Sequence, residues 1–193
     1  MSNNIQQQTT INIQEKANLI WAIADKLVGV YKPHEYGNVI LPMCVIKRFE
    51  DTLAPTKQAV LDTNAKLDKD GIVVKKGFLE TAAGQQLYNL SPFTFQSLLN
   101  DPENIKENFE SYLNHFSENV IDIIHRMDFD RELQKMADNN VLYLVIKEFC
   151  TSKAYLGADL VTSVDMGYIF EELVRKFSES YDEQAGAHFT ARD

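Results

Sequence analysis

The sequence predicts an all-α protein, with at most one small β-hairpin near residues 68–77. Two observations carry that expectation. Apolar residues recur at helical spacing along most of the chain, and prolines and capping residues fall between the resulting stripes. Only residues 68–77 have a texture that suits a strand pair, and even there an exposed loop is the alternative.

Taken in order, residues 1–11 are polar and Gln/Asn-rich and read as a flexible tail. From Asn12, the positions Leu19, Ile20, Ile23, Leu27 and Val28 form one helical stripe, widened by Trp21 and Ala24. Lys32-Pro33 ends it, because a residue that precedes proline avoids the helical region. His34 to Ala54 forms a second helical region, in which Pro42 must either kink the helix or mark a new start. Pro55 closes that region, and a third helix spans Thr56 to Leu67.

The segment Asp68 to Gly77 is charged, flanked by glycine and centred on Ile72, Val73 and Val74. It is read as a hairpin turning at Asp70-Gly71, or as a loop. It is not an EF-hand calcium loop, because Gly71 falls at the fourth position rather than the sixth. Phe78 to Tyr88 and Phe93 to Leu99 are short helical pieces broken at Ser91-Pro92.

Asp101-Pro102-Glu103 is a helix start, with an N-cap, a proline at the first position and an acid in the first turn. Ile105, Phe109, Tyr112, Leu113 and Phe116 then share one face, and Val120, Ile121, Ile123, Ile124 and Met127 form the next stripe. The apolar run Val141 to Cys150 is short enough that periodicity cannot type it, but its Leu, Lys and Glu favour helix. Asp165 to Ser180 is amphipathic, with Ile169, Phe170, Leu173, Val174 and Phe177 set against Glu171, Glu172, Arg175 and Lys176. The period is lost after that.

Composition excludes some function classes. The 193 residues carry 19 basic and 28 acidic side chains, a net charge of −9. Residues 1–100 are near neutral at +1, and residues 101–193 carry −10. Such a chain will not bind DNA by bulk phosphate neutralisation, so any nucleic-acid role needs a local patch or a partner. The basic doublets Lys47-Arg48 and Lys75-Lys76 are the candidates for contact with a phosphate backbone, and a solvated surface is the competing reading. No run of about 18 apolar residues exists to span a membrane, and no secretory signal opens the chain.

Catalytic constellations are missing from the sequence. Its eight glycines assemble no phosphate-binding loop, and no serine sits in a nucleophile elbow. His34, His115, His125 and His188 have no metal-ligand spacing, and Cys44 and Cys150 read as reduced core thiols. The acidic clusters Glu171-Glu172 and Asp128/Asp130/Glu132 read as solvated helix faces. Taken alone, the residues describe an acidic helical bundle without a catalytic site.

Two ordered motifs add to this. Residues 20–27 followed by Tyr36, Val39, Ile40, Leu41, Pro42, Lys47, Arg48, Phe49 and Asp51 resemble the N-terminal region of the modification (M) subunit of type I restriction–modification systems. Met166 to Phe177, with Gly167, Phe170, Glu171, Leu173, Val174 and Phe177, resembles that family's later helix. Gly186 to Thr190 resembles the segment that opens its catalytic domain, with Ala191 where the family has proline.

The resemblance implies a helical N-terminal domain over residues 12–182, with residues 183–193 as the start of a catalytic domain that the sequence does not contain. In the full-length protein it implies transfer of a methyl group from S-adenosylmethionine to adenine N6 in DNA. It further implies assembly in the cytoplasm with a specificity (S) subunit, a second M subunit and the restriction (R) subunit, with DNA held through the complex. Neither the glycine-rich cofactor loop nor the (Asn/Asp)-Pro-Pro-(Tyr/Phe) motif occurs here. Phe189 and Thr190 map onto the cofactor-proximal positions, and this chain alone is expected to bind no S-adenosylmethionine and to be inactive. Residues 183–193 are expected to be disordered without the catalytic sheet behind them. The alternative reading is a self-contained acidic helical adaptor or oligomerisation protein without methyltransferase activity.

Overall fold

A computed structural model describes the backbone of residues 13–190 and the side chains of residues 13–179. The flexible tail expected over residues 1–11 lies outside them. Helices make up the fold, and among the described residues there is no β-strand, only two isolated bridges.

Helix α1 (13–22) runs into a 3-10 turn over Ile23–Leu27. It buries Ala17, Ile20, Ile23, Ala24 and Leu27. A turn through Gly29, at φ 87°, ends this helix before Pro33 is reached. A side chain is disfavoured at that φ, so glycine suits the position. Helix α2 (Gly37–Leu53) is continuous, and Pro42 lies inside it. The proline removes one helical hydrogen bond but does not start a new helix, and the buried Val39, Ile40, Met43, Cys44 and Ile46 hold the turns on either side of it.

Helices α3 (Lys57–Lys69) and α4 (Lys76–Ala83) pack against each other, and the expected hairpin between them does not form. Asp70-Gly71 caps α3 instead. Ile72 N–H donates to the Leu67 carbonyl at 2.9 Å and Gly71 N–H to the Asp68 carbonyl at 3.1 Å, with Gly71 at φ 69°. That pairing is a Schellman cap, which uses the same left-handed glycine a hairpin turn would use. Val73 and Val74, exposed by 88 and 82 %, face solvent with no partner strand.

After a short α5 (Phe95–Leu98), helices α6 (Ile105–Asn114), α7 (Glu118–Arg126), α8 (Phe129–Asp138) and α9 (Leu142–Phe149) follow with tight turns between them. Thr94 caps α5 through a reciprocal bond pair with Ser97. The apolar run at 141–150 is therefore helical. Its neighbours contribute an aromatic cluster in which Phe95, Phe109, Tyr112, Phe116 and Phe129 meet mostly edge to face.

Helix α10 (Ser163–Thr190) is longer than the sequence periodicity predicts, and continues past Ser180 as backbone helix to Thr190. The added stretch contains Glu183, Gln184, Ala185 and Ala187 and no proline, so local propensity carries the helix after the apolar stripe has ended.

Candidate functional site

Between α9 and α10 the chain crosses the bundle as an irregular strap, residues 151–162, in which Ala154, Leu156 and Val161 are buried. The strap has only a 3-10 turn over Ser152–Ala154 and a few local turn bonds, so its remaining buried main-chain groups need polar partners from elsewhere. Here the partners come from α1 and α2.

Lys47 and Asp51, one turn apart on α2, form an ion pair, and the two residues are only 5 and 8 % exposed. Asp51 Oδ2 also accepts the Leu156 N–H at 2.9 Å, and Lys47 Nζ reaches the Ala154 carbonyl at 3.4 Å. Arg48 Nη1 donates to the Leu156 carbonyl at 2.9 Å and to the Val161 carbonyl. Thr52 Oγ1 accepts the Ala158 N–H at 3.3 Å. From α1, Lys16 Nζ donates to the carbonyls of Tyr155 at 2.8 Å and Lys153 at 3.3 Å. Burial is the main cause that lowers the Lys16 pKa.

A second contact fixes α10 farther along. Met166, Ile169 and Leu173 are buried, and the Phe177 ring lies 5.1 Å from Trp21, which in turn meets Tyr36 edge-on at 6.3 Å. Between the strap and these helices lies a groove of about 710 Å³, lined by Ile13, Lys16, Leu19, Leu160, Val161 and Ile169 among others.

A second buried group sits beside the ion pair on α2, at Glu50. Glu50 Oε2 accepts the Tyr112 hydroxyl at 2.8 Å and the Phe95 N–H at 3.0 Å. Lys57 stands 5.2 Å over the Tyr112 ring and donates to the Phe93 carbonyl. Burial pushes the Glu50 carboxyl above its usual range, and the nearby Lys57 charge partly opposes that shift.

The four lysine and arginine candidates therefore divide. Lys47 and Arg48, two of the candidates for phosphate contact, are turned into the chain and bonded to its own groups. Lys75 pairs with Asp68 and donates to Asn64 Oδ1 at 3.0 Å. Lys76 remains on the surface, its side chain 79 % exposed, 3.9 Å from Glu80. The side chains of Phe189 and Thr190 lie outside the described residues. Cys44 is buried and Cys150 is half-buried, both as free thiols. His115 Nδ1 lies 2.6 Å from the Ser111 carbonyl, and His125 is near Asp130. Among the described residues no cluster of three or more His, Cys, Asp or Glu is placed to hold a metal.

Sequence reasoning missed Lys16, Thr52 and Glu50. Only the i,i+4 spacing of Lys47 and Asp51 signalled a pair on α2. Structure also brings together the two stretches that were singled out. Trp21 and Gly37 of the first adjoin Phe177 of the second, more than a hundred residues later.

Charged side chains, buried at Lys47 and Asp51 and half-buried at Lys16 and Arg48, hold the main chain of the strap within an all-α domain. Residues 16–149 match the family model described as the HsdM N-terminal domain, and the chain belongs to that family, the N-terminal domain of the modification subunit of type I restriction–modification systems. Comparison with curated proteins and with solved structures yields no match. No helix among the described residues is long and apolar enough to cross a membrane.

Proposed function

We propose that this domain serves subunit assembly and DNA clamping in a site-specific adenine-N6 DNA methyltransferase that uses S-adenosylmethionine. The observation that carries the reading is the family match over residues 16–149. Its partners are the specificity subunit, a second modification subunit and the restriction subunit, in the cytoplasm. The described residues offer no glycine-rich cradle for the cofactor, so no methyl-transfer step is assigned to them. Phe189 and Thr190 are proposed to lie along the cofactor in the full-length protein, and this chain alone binds none.

With Lys47 and Arg48 bonded internally and Lys75 paired with Asp68, the exposed Lys76 at the start of α4, with Lys75 beside it, is the best placed of the four for direct backbone contact. Acidity elsewhere leaves sequence reading to the partner subunit. The test is reconstitution of full-length modification and specificity subunits, with DNA binding measured against salt and methyl transfer measured with labelled S-adenosylmethionine. Lys75→Ala/Lys76→Ala is expected to weaken binding and to lower the salt slope by up to roughly two. An unchanged slope removes those lysines from the interface. An assembled complex without methyl transfer to adenine overturns the reading of the activity.

A further inference from the structure

We propose that Lys47, Arg48 and Asp51 are positioning residues that latch the strap and thereby set the course on which α10 leaves the bundle. The inference needs no catalytic domain and goes beyond the family match, which stops at residue 149.

Three observations carry it. First, one turn and a half of α2 supplies side chains to both ends of the strap. Asp51 and Lys47 hold Leu156 and Ala154, and Arg48 spans from Leu156 to Val161, two residues before α10 begins at Ser163. A single guanidinium joined to two carbonyls five residues apart fixes their separation, because its donors form a rigid fork.

Second, the ion pair of the latch is out of water, with Arg48 half-buried beside it. A charged pair at 5 and 8 % exposure is costly to bury unless its remaining donors and acceptors are satisfied. Here the backbone of the strap completes them, and no buried side-chain polar atom among the described residues lacks a partner. Withdrawing the strap would leave Asp51 without its Leu156 N–H and Lys47 without its carbonyl, so the strap and the ion pair hold or open together.

Third, α10 has a second anchor at Phe177, which packs on Trp21 and closes against Gly37. With Val161 tied just before its first turn, Met166, Ile169 and Leu173 buried along it and Phe177 held by aromatic contact, the helix axis is fixed on the α1–α2 unit. Release of the latch and reorientation of the start of α10 are then one event. Positioning of α10 is the reason for charged residues at 47, 48 and 51, which an apolar helix face would otherwise fill.

Hydrogen exchange by mass spectrometry on the whole 193-residue chain tests this with Arg48→Ala and Arg48→Lys. Arg48→Ala is expected to speed exchange in residues 152–166 by at least about ten-fold, with residues 105–149 unchanged. Arg48→Lys, which keeps one charged donor, is expected to restore part of the protection. Trypsin should also cut after Lys153 faster in Arg48→Ala, since that bond lies in the strap. Unchanged exchange in 152–166 overturns the proposal. So does equal acceleration everywhere, which would make Arg48 a general stability residue. Should Arg48→Ala fail to fold, Arg48→Gln removes the guanidinium fork to Leu156 and Val161 while keeping a shorter polar side chain. Faster exchange confined to the strap then supports the latch, and no local change overturns it.

Discussion

Phe177 lies against the bare Cα of Gly37, so closely that a Cβ built there would stand 3.3 Å from the ring. The φ of Gly37 is not in the left-handed region, so what glycine contributes here is room for the ring. Helix propensity alone would favour alanine by up to about 1 kcal/mol, but the ring opposes any added bulk. Gly37→Leu is therefore expected to destabilise the chain by about 1–3 kcal/mol in urea unfolding, the range for overpacking. Combining it with Phe177→Ala should recover part of that loss. Strict additivity of the two substitutions would show that the residues do not meet.

The same contact shows what the sequence could and could not disclose. Helical spacing is local, so the stripes at Ile20, Phe109, Ile124 and Ile169 could be read directly from the residues. That Gly37 would face Phe177 depends on how α2 and α10 cross, which no window of residues contains. Asp70-Gly71 was ambiguous for a physical reason, because a left-handed glycine closes a helix cap and a hairpin equally well. Lys47 and Arg48 were ambiguous for another. A basic doublet can bind phosphate or main-chain carbonyls, and only burial, a tertiary property, separates the two. The strap itself has no periodicity at all, so its partners Lys16 and Thr52 gave no sign.

The buried pair on α2 yields a sharper expectation. Removing one member strands the other, and the penalty for an uncompensated buried charge is about 3–5 kcal/mol. Lys47→Met and Asp51→Asn should each lower thermal stability markedly, and Lys47→Met/Asp51→Leu should cost less than the two single changes together. Thermal unfolding followed by circular dichroism measures all of them. Single variants as stable as the wild type would mean that the two groups are hydrated in solution.

Glu50 predicts a pH dependence. Burial raises its pKa in the folded chain, so the folded state holds that proton more readily than the unfolded state does. The resulting stabilisation is complete below the unfolded carboxylate range near pH 4 and is lost as pH rises through the higher folded value. Glu50→Gln keeps an oxygen for Tyr112 and Phe95 but cannot titrate. Its stability relative to wild type should therefore improve between pH 5 and pH 7 in paired urea titrations. A difference that stays flat over that interval would show that Glu50 is not held above its ordinary range.

The two thiols differ enough to be told apart chemically. Burial pushes the Cys150 thiol up to about 11 and the fully buried Cys44 thiol higher still. Reaction with an aromatic disulfide requires the thiolate, so at pH 8 Cys150 should label at least roughly a hundred-fold more slowly than free cysteine, whose pKa is about 8.5. Cys44 should label only when the bundle opens, at a rate that levels off at the opening rate when reagent is in large excess. Peptide mapping after timed quenching assigns each site. Arg48→Ala offers an internal control. Cys150 adjoins the strap, so loosening residues 152–162 should accelerate labelling at Cys150 and leave Cys44 as slow as before. Equal acceleration at both thiols would mean that the substitution opens the whole bundle.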